Sequence, residues 1–387
     1  VKNIAIGNGA GDGMGTLAGS TENLFIGYDA GGGTWATAVS THNIGIGDYT
    51  LDAAMNGALY NIAIGHTALT DLTTGDYNVV VGSDAGIELS TGSSNVFIGT
   101  SCGNETVDVD NCVGIGTNAF WNGNMTSDCD GSVGIGFNTL RTLVSGIGNV
   151  AVGYQAMYAE DDGDSCTAVG HQALTAQTGS SAEVANTAVG YQAGVAVTKG
   201  RYTTIVGKQA LYTEDVGDRS TAIGYQSMYA QNSDSDNEIT GNTGLGMYSG
   251  MHNVTGQNNT YLGYRAGTGV SGQSNSGNTA VGKDALLGIR AGGENTVMGI
   301  GVGAGMTSGA QNVLLGGYAG YNCVDVDKTV VIGYNAGGTG NMTSTADGTV
   351  SIGYNAGHNI ASGVGNVAIG YEALKTNVDG DYNTAIG

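Results

Sequence analysis

Polar and apolar residues follow a fixed phrase along this chain. A polar residue, usually Asn, precedes Val, Ile, Thr or Leu, then a variable uncharged residue, then Ile, Val, Leu or Met, then Gly. "NVAVG" from Asn149, "NTAVG" from Asn186 and "NVAIG" from Asn366 are three examples. The closing glycines, from Gly7 to Gly387, mark 22 units; the commonest step is that from Gly65 to Gly82 and from Gly82 to Gly99, while longer steps such as Gly116 to Gly136 add a few positions of loop. No residue in the four places before these glycines is charged. The second and fourth places share one face of a predicted strand and the third lies on the other, because side chains alternate with a period of two. Three places after the glycine stands a small residue, often Ala (Ala156, Ala173, Ala193), then either Gly or a bulky apolar residue, as in Gly194, Met157 and Leu374. Polar loop completes the unit.

A unit this short, with one strand, is too small to enclose its own apolar side chains and must stack on its neighbours. The predicted fold is therefore all-β, a parallel β-solenoid or β-roll of about 22 short rungs, spanning residues 1–387 as one continuous array. In such a stack the repeated Asn forms a ladder of amide bonds, with Asn61, Asn78, Asn95, Asn149, Asn186 and Asn366 as members. The repeated glycine serves a tight turn or a close backbone approach. Proline, which would delete a rung-to-rung hydrogen bond, is missing from the chain. Residues 99–170 and 316–387 share their spacing series and related text, so that Gly99 answers to Gly316 and Gly170 to Gly387, a super-repeat that segmental duplication explains. The third strand residue is often apolar too, as Phe25, Val80, Phe97, Ile205 and Val331, so both faces call for cover. Either each coil folds its other half over that face or another copy of the chain covers it; the expectation is the second, with three chains round an axis.

Composition narrows the function. With 72 glycines that are not at every third position and no proline, collagen is excluded. A net charge of −22 with no Lys/Arg cluster argues against a nucleic-acid partner, and no apolar run is long enough for a membrane span. "GIGNVA" (Gly146 to Ala151) and "GVGNVA" (Gly363 to Ala368) match a dinucleotide fingerprint only because a loop runs into the next strand. The five histidines make no constellation, so no catalysis is expected. Acidic loops such as "EDDGD", "TEDVGD" and the two "VDVD" stretches read as solvated turns; were calcium bound, Asp161, Asp162 and Asp164 would be the first ligands. No other cofactor is expected. Cys112 and Cys129 fall at the same offset from their preceding glycines, Gly99 and Gly116, which would bring them near enough on adjacent rungs for a disulfide; two small buried thiols in place of Asn is the equal alternative. The Tyr that often follows the glycine (Tyr154, Tyr191, Tyr334, Tyr354, Tyr371) offers either a carbohydrate-stacking stripe or aromatic packing within the fold. Sequons at Asn104, Asn124, Asn253, Asn258 and Asn341 matter only in a host that glycosylates.

The "N-[TV]-A-[IV]-G" strand, present in this or a related form through all 22 units, resembles the head repeats of trimeric autotransporter adhesins (YadA-like), and "NTAVGYQAG" is similar to repeats of phage and bacterial tail-fibre proteins. The resemblance implies a left-handed parallel β-roll assembled as a homotrimer, outside the cell, on a cell surface or in a virion tail fibre. This chain departs from the adhesin heads in its longer period and in the Tyr-x-Ala that follows glycine. It opens in mid-pattern at "VKNIAIG" and closes on "NTAIG", and so reads as a segment of a longer fibre. The expected function is the structural shaft of an extracellular or virion fibre or adhesin that mediates surface attachment, with a host-surface glycan or protein as receptor. A self-assembling filament without receptor binding is the alternative, and a polysaccharide-cleaving β-helix enzyme a third class.

Overall fold

A computed structural model describes every residue except 1, 17, 18, 36 and 180–182. The strand phrase forms a strand wherever it occurs: three-residue strands run from Ile4–Ile6 to Thr384–Ile386 at all 22 repeats. The chain is a parallel β-solenoid, all-β apart from three short 3-10 turns among the described residues. The array expected over 1–387 divides into two compact units, 1–192 and 193–387, with eleven strands in each.

In the first unit, strands pair parallel and in register with the strand one coil away, as Val79↔Val96, Val80↔Phe97 and Val81↔Ile98 show. The second unit repeats this geometry, for example Val313↔Val330, Leu314↔Val331 and Leu315↔Ile332. Hydrogen bonding continues beyond the strands: Thr67 N–H donates to Asp48 O, Leu69 N–H to Ala85 O and Thr73 N–H to Ser90 O, each across one rung. Loops tied this way lose a bond wherever proline enters, which accounts for its absence.

The repeated glycine has a backbone that only glycine tolerates. At Gly82 φ is +151°, and a Cβ there would stand 2.2 Å from the carbonyl oxygen of Gly99, the same glycine one coil on. Each coil then turns through left-handed corners at non-glycine residues, as at Thr67, Leu69 and Tyr77 with φ of 54°, 57° and 58°. The second of these corners is the place that the sequence fills with Gly or a bulky apolar residue. Glycine removes the strain there, while a leucine offsets it by burial, about 1.5–3 kcal/mol for a full side chain.

The strand faces are reversed from the expectation. The third strand residue points into its own coil and is fully buried as Phe25, Ala63, Val80, Phe97, Ala151, Ile205 and Val331. The other half of the same coil covers it, so no second chain is needed for that face. Inside, its size is in most coils complementary to the residue at the left-handed corner six positions later; Ile205 with Leu211, both fully buried, and Ala188 with Gly194 are exceptions. Large strand centres face glycine, as in Phe25 with Gly31, Phe97 with Gly103 and Tyr261 with Gly267, where a Cβ would meet the ring at 2.8, 2.6 and 2.2 Å. Small centres face a large corner residue, as in Ala63 with Leu69, Ala151 with Met157 and Ala168 with Leu174, all fully buried. Where both are small, at Gly244 and Gly250, Met228 and Tyr261 reach in from neighbouring coils. Close packing at constant coil cross-section imposes this exchange of volume.

Candidate functional surfaces

The Asn ladder lies along the inner edge of the strands. Asn61 Oδ1 accepts both the backbone N–H of Asn78 at 2.9 Å and its side-chain amide at 3.0 Å, while Asn78 Nδ2 also donates to Gly92 O at 2.8 Å. Asn95 bonds to Asn78 in the same way. Asn149 donates to Gly163 O and accepts the Cys166 N–H. Asn186 donates to Gln177 Oε1, and Asn366 to Gly363 O while accepting from Asn383. All six are buried.

A second ladder runs through the loops. Asp76, Asp110, Asp164, Asp218, Asp327 and Asp381 each use Oδ1 to accept a backbone N–H from the preceding rung, at 2.6–2.9 Å. Asp108 and Asp325, the other carboxylates of the two "VDVD" stretches, accept from Ser127 and Ser344. These carboxylates hold the fold together rather than merely solvating turns. The signal in the sequence is the recurrence of Asp at one fixed offset from the repeated glycine, as Asp76 after Gly65, Asp110 after Gly99 and Asp164 after Gly153.

The acidic loop at 160–164 also differs from its expected role. Glu160 is fully buried, with Oε1 accepting the Gly163 N–H at 2.7 Å and Oε2 accepting Gln177 Nε2. Gln177 also donates to Cys166 Sγ. Glu214 repeats the arrangement with Gly217, Gln231 and Ser233. Both glutamates stand at the place after their glycine that buried Leu72, Leu89, Leu143 and Ile289 fill in other rungs. Each meets a Gln at the equivalent place one rung on. Burial pushes the Glu160 carboxyl above the usual glutamate range, against the opposing Gly163 and Gln177 hydrogen bonds. Oxygens of Glu160, Asp161 and Asp162 lie within 4.8 Å of one another, whereas Asp164 is turned to Ile147. With Glu160 occupied by N–H donors, Asp161 and Asp162 are the carboxylates of this group that remain open to a cation.

Cys112 and Cys129 are buried free thiols. Cys112 occupies an Asn-ladder place, its N–H donating to Asn95 Oδ1. Its Sγ donates to Cys129 O at 3.4 Å, while Cys129 Sγ donates to Val144 O at 2.9 Å. The disulfide weighed from the sequence is not formed, because an equal offset from the glycine does not give an equal place in the coil. The long rung carrying Cys129 inserts a 3-10 turn, Ser127–Cys129, and Ser132 takes the ladder position instead, donating to Gly146 O. Desolvation pushes the Cys112 thiol up to about 11 and that of Cys129 up to about 12, so neither is a nucleophile near neutral pH.

Several of the tyrosines after the glycine stand in stacked columns, while Tyr28 and Tyr225 meet their neighbours edge-on. Phe137, Tyr154, His171 and Tyr191 follow one another with centroids 5.5, 4.8 and 5.1 Å apart and near-parallel planes. Such columns cover ring faces and present edges to solvent, which disfavours a sugar-stacking role, since sugars pack on faces. Of the sequons, Asn124, Asn258 and Asn341 are exposed, whereas Asn253 is buried.

The outward strand face is a regular surface in each unit. Its second and fourth places, such as Ile62 and Ile64, Val96 and Ile98, and Thr243 and Leu245, line up coil on coil. Ile64, Ile98 and Leu245 are 37, 37 and 42% exposed. Neither place is charged in any of the 22 units, although the chain carries −22 overall. No helix among the described residues is long and apolar enough to cross a membrane. Comparison with protein-family models and with curated proteins finds no match.

Proposed function

We propose that this chain is the structural shaft of an extracellular or virion fibre or adhesin, assembled as a left-handed homotrimer. The observation that carries the reading is the outward strand face: in-register columns of Val, Ile, Leu and Thr without charge, on a chain that is otherwise strongly acidic. Association through that face removes apolar side chains from water and keeps the acidic loops apart. Three chains, the hand of the coil, and a glycan or protein receptor rest on the resemblance to adhesin heads and tail-fibre repeats. A coil whose backbone is bonded from rung to rung in strand and loop alike suits a load-bearing element.

Sedimentation equilibrium tests the assembly. The mass expected is three times the 38.6 kDa chain, falling to one chain when Ile64→Asp and Ile98→Asp place charges on the outward face. A monomer before substitution overturns the reading, and a mass that grows without limit with concentration favours the open filament.

A further inference from the structure

In-register stacking does more to the tyrosines than bury surface. Tyr60 and Tyr77 have centroids 5.2 Å apart with planes at 4°, Tyr212 and Tyr229 4.9 Å at 2°, and Tyr354 and Tyr371 5.3 Å at 9°. Tyr60, Tyr77, Tyr354 and Tyr371 are exposed, and all five thiols, the competing one-electron donors, are buried. Parallel rings with centroids this close hold the two phenols of each pair against one another. Other neighbours at the same distance lack this alignment: Tyr28 and Tyr49 lie 5.3 Å apart at 70°, and Tyr225 and Tyr248 5.4 Å apart at 76°.

We propose that the parallel tyrosine pairs are sites of oxidative cross-linking, each yielding a dityrosine staple between consecutive coils of one chain. The oxidant is of the haem-peroxidase class, with hydrogen peroxide as terminal acceptor. Each phenol gives up one electron and one proton. The two phenoxyl radicals join through ortho carbons, and the two hydrogens on those carbons move to the phenolic oxygens as the rings regain aromaticity. One carbon–carbon bond forms, two hydrogen atoms leave the protein, and one hydrogen peroxide becomes two waters. For Tyr60 with Tyr77 and Tyr354 with Tyr371, and for Tyr334 with Tyr354, an exposed third pair 5.9 Å apart at 9°, the staple closes a loop of a single coil, and so resists unwinding of the stack. The inference does not depend on how the chain assembles.

The test oxidises the full chain with a haem peroxidase and hydrogen peroxide, using an equal mixture of natural and nitrogen-15-labelled protein, followed by digestion and mass spectrometry. The expected products are same-isotope peptides joining Tyr60 to Tyr77 and Tyr354 to Tyr371, lighter by two hydrogens. Their yield should be several times that for Tyr28 with Tyr49. Tyr77→Phe and Tyr371→Phe, which keep the stacked ring, should each abolish only their own bond. Equal yields at the edge-on pairs, joined peptides of mixed label alongside same-label ones in statistical proportion, or oxidation of the stacked tyrosines without coupling would each overturn the proposal.

Discussion

At the scale of single residues, the interior is governed by an exchange between the strand centre and the corner six positions on. Phe97→Ala removes a fully buried ring and leaves small residues at both places, and we expect a loss of about 3–5 kcal/mol in urea unfolding. Gly103→Leu in the same chain recreates the pairing already used by Ala168 with Leu174, whose corner leucine has φ of 48° against 64° at Gly103. The double variant should regain most of the lost stability, whereas Gly103→Leu alone should destabilise by overpacking against the Phe97 ring. Failure of the rescue would show that the complementarity is coincidental. Glu160 gives a pH dependence. Its folded-state proton is held more tightly than in the unfolded chain, so its contribution to stability is complete below the ordinary glutamate value and is lost as pH rises through the raised folded value. Relative to Glu160→Gln, the natural chain should lose stability as pH climbs above the ordinary glutamate value of about 4.3, as followed by urea melts at each pH. A constant difference between the two would contradict the burial argument.

One element, the coil, is where sequence and structure agree best. The strand phrase, its register and the Asn ladder were legible because they recur in every coil or nearly so, and any feature that repeats in a stack must meet its own copy. Asn78→Ala would leave Gly92 O and the Asn95 N–H unpartnered in a buried site and the Asn95 side-chain amide with Val109 O alone, with a cost on the order of 3 kcal/mol. Asn78→Ser should cost less, since Ser132 and Ser220 hold the same place naturally; equal losses in thermal melts would argue against the ladder as a source of stability. What escaped was the direction of each face. Periodicity of two shows that Ile62 and Ile64 lie opposite Ala63, yet it does not say which side is inside when both are apolar. The deciding signal lay at a distance, in the inverse sizes at positions 97 and 103 or 168 and 174. Glu160 and Glu214 escaped for a related reason: acid-rich text reads as solvent-facing, and only alignment with Leu72 and Leu89 shows that their place points inward. Cys129 was misplaced because an inserted 3-10 turn shifts the count within its long rung.

For the whole molecule, repetition means that a single geometric rule, applied at every coil, generates the inner ladders, the stacked aromatic columns and the outward uncharged face together. Each of these surfaces fails if the register slips by one residue, since that exchanges the buried and outward strand faces. The most direct measurement is therefore paired cysteine substitution on the outward face. Val79→Cys with Val96→Cys places two thiols on facing positions of adjacent parallel strands, about 4.8 Å apart at Cα and within disulfide range. The native cysteines are buried and do not compete. Mild oxidation should give one intrachain bond between positions 79 and 96 in the folded chain, and none when Val79→Cys is combined with Phe97→Cys, whose side chain points into the coil. A bond to position 97, or none to position 96, would contradict in-register stacking with the strand centres inside.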